Sequence, residues 1–117
     1  MPRVPRHLLA AAAVVLVVLQ LCVLYWPVVT VQGPVSWTDK VVHLLVFAVP
    51  TLAVGLALRR VWAPALGFAI HAPVSELVQH FALPGRTGDV WDAVVDLAGI
   101  VAAVVVLLVV RRRRQHW

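Results

Sequence analysis

The chain has 117 residues, 62% of them hydrophobic and only 13% charged. A soluble domain is nearer half apolar and a quarter charged, and so short a chain has too little interior to hide the surplus. That composition excludes an ordinary water-soluble fold and makes lipid the expected solvent. The net charge of +5 does not point to nucleic acid, because eight of the ten Lys and Arg residues stand in short clusters between or beyond apolar runs. A nucleic-acid footprint needs a continuous basic face.

Four runs of about 20 residues each have the length needed to cross roughly 30 Å of hydrocarbon as helices. The first, about His7–Trp26, follows Arg3 and Arg6 and opens like a secretory leader. No small-residue cleavage site follows, so it reads as a retained helix. Cys22, the single cysteine, lies within it, so these residues form no internal disulfide. A Pro/Gly-bearing loop leads to the second run, about Asp39–Leu58. A tight turn at Arg59-Arg60 leads to the third, about Val61–Phe81. A loop with Pro84, Gly85 and Gly88 leads to the fourth, about Val90–Val110, and Arg111–Arg114 follow.

These runs predict an all-α fold: a single-domain, four-helix transmembrane bundle spanning 1–117. Its orientation follows from the bases. With the N-terminus inside, both ends and the Arg59-Arg60 turn are cytoplasmic, and only Lys40 and Arg86 remain outside. Trp26, Trp37 and Trp91 then fall at the outer boundary and Trp62 at the inner one, as interfacial rings prefer, with Trp117 in the tail. Arg111–Arg114 serve as a stop signal and can also attract anionic headgroups. Pro73 is placed to kink the third helix just before Glu76, for packing or for function. On the fourth, Gly99 and Ala103 form a small-xxx-small pair that permits close helix approach.

The five carboxylates, Asp39, Glu76, Asp89, Asp92 and Asp96, all map to the outer half in this topology. Helical spacing groups them further. Asp39 and His43 are one turn apart on the second helix. Glu76, Gln79 and His80 share a face of the third, whereas His71 points elsewhere and reads as a packing or interfacial residue. On the fourth, Asp89, Asp92, Asp96, Gly99 and Ala103 fall in one arc if the helix reaches back that far. Three polar stripes at one end are most economically pointed at one another. Five acids against Lys40 and Arg86 leave a formal negative excess, so either some carboxyls hold protons or a cation neutralises them. Asp39, His43, Glu76 and Asp92 are the candidate ligands of a divalent metal. A hydrogen-bonded polar plug with no ligand is the other reading.

The run Asp39-Lys40-Val41-Val42-His43, with Phe47 one turn on, resembles the D-K-x-x-H signature of VanZ-like membrane proteins. Glu76-Leu77-Val78-Gln79, followed by Arg86, Asp89, Asp92, Asp96 and Gly99, is similar to that family's E-x-x-Q … R-x-x-D-x-x-D-x-x-x-N-x-x-G pattern. The resemblance covers about 39–99. Asp96 stands where the family usually has Asn, and Phe47 where relatives often have Tyr. The resemblance implies a multi-pass protein of the bacterial cytoplasmic membrane, in a family named for low-level teicoplanin resistance, and a general cell-envelope role.

Three functions follow as expectations. In the first, the outer cluster (Asp39, Lys40, His43, Glu76, Gln79, His80, Arg86, Asp89, Asp92 and Asp96) binds a cell-wall precursor, a lipid headgroup or a cation. In the second, Asp39, His43, Glu76, Asp92 and Asp96 hold a metal or act as acid and base on a lipid-linked substrate, with Lys40 and Arg86 clamping its phosphate. The sequence carries no H-E-x-x-H, P-loop or G-x-S-x-G signature. In the third, Glu76 or Asp96 relays protons in a small transporter subunit. The partners expected are the bilayer and a lipid-linked envelope precursor, with no nucleic acid. Oligomeric state is not legible in the sequence.

Overall fold

The computed structural model describes residues 4–25, 38–82 and 90–114. Arg86, Asp89, Trp26, Trp37, Trp117 and the side chain of Asp39 lie outside this description. The described residues form four helices: α1 (Arg6–Tyr25), α2 (Thr38–Leu58), α3 (Trp62–Ala82) and α4 (Val90–Arg113). Three are long and apolar enough to cross a membrane: Arg6–Tyr25, Lys40–Leu58 and Val90–Arg113. The third helix has 21 residues, a comparable length. Its apolar character is diluted by His71, Ser75, Glu76, Gln79 and His80, which is why it falls outside that group.

The exterior is apolar and the interior carries the polar groups. In α1 the buried residues are Ala13, Gln20 and Leu24. Val14 is 62% exposed while Gln20 is 2% exposed. Water would select the reverse arrangement. The same inversion holds in α4, where Asp92 and Asp96 are buried and Val101 and Val105 are exposed. Trp62, which opens α3, and Trp91, in the first turn of α4, are both exposed.

Buried polar side chains serve the backbone. Pro50 lies inside α2 and has no N–H to donate to Val46 one turn earlier. Gln20 of α1 replaces that donor, its Nε2 reaching the Val46 carbonyl at 3.0 Å. Thr51 Oγ1 donates to the Phe47 carbonyl at 2.6 Å, and Ser75 Oγ to the Ala72 carbonyl at 2.8 Å. The helix α3 continues through Pro73 as one element. The turn between α2 and α3 is closed by Arg59, at φ 55°, with the Arg60 N–H bonded to the Gly55 carbonyl at 3.1 Å. A left-handed residue after the last helical turn is the usual helix stop, and glycine normally fills it.

Helix order in space differs from order in sequence. The most extensive packing is between α2 and α4, followed by α1 with α2 and α3 with α4, and among the described residues the backbones of α1 and α4 do not come close. Around the bundle the order is therefore α1, α2, α4, α3. Contacts along the α2–α4 seam advance together in both chains: Lys40 with Asp92, His43 with Asp96, Leu44 and Ala48 with Gly99, and Gly55 with Leu107. The two helices run parallel.

Small residues make this possible. A β-carbon on Gly99 would collide with the Leu44 carbonyl oxygen and lie 3.2 Å from the Ala48 nitrogen. Backbone meets backbone there, which only glycine permits. Gly67, by contrast, faces open space. Below the seam's polar end lies a core of Leu24, Phe47, Ala65, Ala72 and Ile100, with Phe68 edge-on to Phe47 at 6.5 Å.

Gly99→Ala is expected to destabilise the protein by about 1–3 kcal/mol, the range for overpacking a tight contact. Gly67→Ala is expected to be neutral or to stabilise by up to about 1 kcal/mol through helix propensity. Thermal unfolding of the two purified variants checks this, and equal responses would contradict the seam. Gln20→Leu removes the donor to Val46 and is expected to cost about 0.6 kcal/mol, with about 1.7 as the ceiling for such interhelical bonds. An unchanged unfolding midpoint in that variant would argue against the role given to Gln20.

Candidate functional site

Because α2 and α4 run parallel, their N-termini meet at one end of the bundle. Lys40 lies in the first turn of α2 and Asp92 in the first turn of α4. The unpaired N–H groups at a helix start carry partial positive charge, so two starts side by side favour carboxylates nearby. Glu76 reaches the same place from α3, less than two turns before that helix ends.

The side chains converge on His43. Its Nδ1 lies 2.9 Å from Asp96 Oδ1 and 3.9 Å from Glu76 Oε1, and its Nε2 lies 3.6 Å from Asp92 Oδ2. The Lys40 ammonium donates to Asp92 Oδ1 from the more exposed side. Asp96 is fully buried, and His43, Glu76 and Asp92 are each less than 9% exposed. The donor in the His43–Asp96 contact follows the imidazole tautomer; with the proton on Nδ1, Nε2 faces Asp92 as an acceptor. One donor atom from each of His43, Glu76 and Asp92 lies within 4.8 Å of the others.

The structure thus brings together Lys40, His43, Glu76, Asp92 and Asp96. Gln79 is buried but turned away from them, its Nε2 donating to the Leu24 carbonyl at 2.7 Å. That carbonyl lies near the C-terminal end of α1 as described, so Gln79 ties α3 to α1. His80 is exposed and lies edge-on to Phe81 at 4.6 Å. Asp39 sits one turn before His43 in α2. As α4 begins at Val90, Asp89 lies outside the described residues together with Arg86.

One polar pair was not anticipated. Tyr25 Oη and His71 Nε2 are 2.7 Å apart, with their rings stacked at 5.7 Å. His71 also lies 5.7 Å from Phe47, ring to ring. The angle of His71 on α3 separates it from Glu76, but no spacing rule within one helix identifies Tyr25 of another as its partner. Asp96 proves to be the closest described carboxylate to His43.

No family model, curated protein or solved structure matches the chain. The site must therefore be read from its chemistry. An imidazole held by one carboxylate and facing two others, with an ammonium at the rim, can bind a cation or exchange protons with a bound group.

Asp96→Ala removes the acceptor of a buried imidazole and is expected to cost about 1–3 kcal/mol. Phe81→Ala, at an exposed position beside His80, is expected to change stability by less than about 0.5 kcal/mol. Chemical or thermal unfolding of the two variants measures the difference. Comparable values would mean that the His43–Asp96 contact adds little.

Proposed function

We propose that the chain is a VanZ-like integral membrane protein with a cell-envelope role, whose buried cluster binds a cell-wall precursor, a lipid headgroup or a cation. It resides in the bacterial cytoplasmic membrane and crosses it four times, with both ends in the cytoplasm. The clusters Arg3/Arg6, Arg59/Arg60 and Arg111–Arg114 support that orientation, since short basic segments stay on the cytoplasmic side. In it, the Lys40–His43–Glu76–Asp92–Asp96 end of the bundle faces outward.

The observation that carries the binding role is the burial of four ionisable groups from three helices, inside a molecule whose exterior is apolar. Ionisable groups inside a transmembrane bundle are rare and face its interior, so such groups mark binding or transfer sites by default. Packing alone is served elsewhere in this fold by neutral Gln20, Thr51, Ser75 and Gln79. Four residues that carry the D-K-x-x-H and E-x-x-Q resemblance, Lys40, His43, Glu76 and Asp92, lie together with Asp96, while Gln79 turns to α1. A metal-dependent enzyme acting on a lipid-linked phosphate is the second reading, favoured by the His43, Glu76 and Asp92 donor atoms standing within 4.8 Å.

Two measurements test the proposal. A cysteine introduced at Arg112 is expected to react with a membrane-impermeant thiol reagent only after the cells are opened. Labelling in intact cells would reverse the orientation. Protein purified in native lipid is expected to retain a species that Asp92→Asn and Lys40→Met both lose, read by mass spectrometry of bound lipids and elements. A wild-type protein that retains nothing beyond the two variants would overturn the binding role.

A further inference from the structure

We infer that His43, Glu76 and Asp92 form a three-ligand site for a first-row divalent cation, with Asp96 as its positioning residue. This rests on the binding role proposed above and names the ligand of the same site.

The argument starts from the imidazole. A metal-bound histidine usually gives its other ring N–H to a carboxylate, which fixes the tautomer and raises the basicity of the ligating nitrogen. Asp96 stands in that relation to His43, 2.9 Å from Nδ1 and wholly buried. The opposite nitrogen, Nε2, is directed at Asp92 Oδ2 at 3.6 Å. That separation is long for a hydrogen bond. It is close to the roughly 3.4 Å edge of a tetrahedron built on bonds of about 2.1 Å, the length zinc makes to nitrogen and oxygen ligands. Glu76 supplies the third donor: one ligand atom from each of the three residues lies within 4.8 Å of the others, and Glu76 Oε1 stands 3.9 Å from the imidazole at Nδ1.

Valence and ligand type agree with this assignment. A divalent ion held by Glu76 and Asp92 adds no net charge to a low-dielectric interior, the condition under which buried charges are tolerated. An imidazole among the ligands favours ions of the manganese-to-zinc series over magnesium and calcium, which prefer oxygen alone. Three protein ligands leave at least one position open, as in sites where a metal receives a water or a substrate oxygen. Lys40, on the other oxygen of Asp92 and nearer the surface, fixes that carboxylate's orientation.

The test uses the purified full chain, stripped of metal with a chelator and titrated separately with Zn²⁺, Co²⁺, Mn²⁺ and Mg²⁺. Binding of Zn²⁺ and Co²⁺ is expected to saturate at one ion per chain and to exceed Mg²⁺ affinity by at least about 100-fold, following ligand softness. His43→Gln and Glu76→Gln, which keep side-chain volume, are expected to abolish it. Asp96→Asn is expected to weaken it by about 10–100-fold while one ion still binds, the range for a lost carboxylate partner. A shifted Co²⁺ visible spectrum in that variant distinguishes repositioning of His43 from general loosening of the fold. No saturable Zn²⁺ or Co²⁺ binding, or binding unchanged in His43→Gln and Glu76→Gln, would overturn the inference. Bound lipid is measured on the same samples. Retention that still depends on Lys40 and Asp92 without metal defeats the metal site alone, whereas loss of both defeats the binding role as well.

Discussion

The contact between Gly99 of α4 and the Leu44 carbonyl of α2 governs the arrangement of the other helices. Where a β-carbon has no room, two backbones lie as close as helices can, and dispersion is gained along their length. Lipid tails are as apolar as the side chains, so burial of apolar area adds little between helices in a membrane. Close packing and interhelical hydrogen bonds must supply the cohesion. The α2–α4 seam has both: Gly99 and Gly55 allow approach, and Lys40–Asp92 and His43–Asp96 fasten one end.

The parallel direction of that seam has an electrostatic consequence. Antiparallel neighbours would cancel their dipoles end to end, whereas parallel ones add them. Two helix starts therefore face the same region, and the carboxylates of Asp92 and Asp96 gather in it with Glu76. A bundle with the same helices in simple sequential order would set α2 and α4 diagonally and hold these groups apart. The position of α4 beside α2 thus accounts for both the closest packing and the densest charge.

Elsewhere the fold is sparing with buried polar groups, and Gln20 and Gln79 each serve a backbone carbonyl. Pro50 frees a carbonyl in α2, and Gln20 arrives from α1 to satisfy it. Near the described end of α1, Gln79 arrives from α3 and donates to the Leu24 carbonyl. Neutral amides suffice for such repairs. The ionisable groups at the α2–α4 end go beyond what backbone repair requires, which separates the candidate site from the structural polar network.

Much of this was legible in the sequence because one-dimensional patterns obey one-helix rules. Run length predicted four helices, which the described residues form, and the 100° step put Asp92, Asp96, Gly99 and Ala103 on one face. The same step grouped Glu76, Gln79 and His80, yet only Glu76 joins the site. A shared arc is wide, and a neighbour's surface decides which part of it is covered: Gln79 found the end of α1, and His80 was left outside. The selection of Asp96 as the partner of His43, the pairing of Tyr25 with His71 and the order α1, α2, α4, α3 all depend on which non-adjacent surfaces fit most closely. Periodicity sets the angle of a residue about its own helix axis. It carries no information on which other axis lies opposite, and that was settled by the space a missing β-carbon leaves at Gly99.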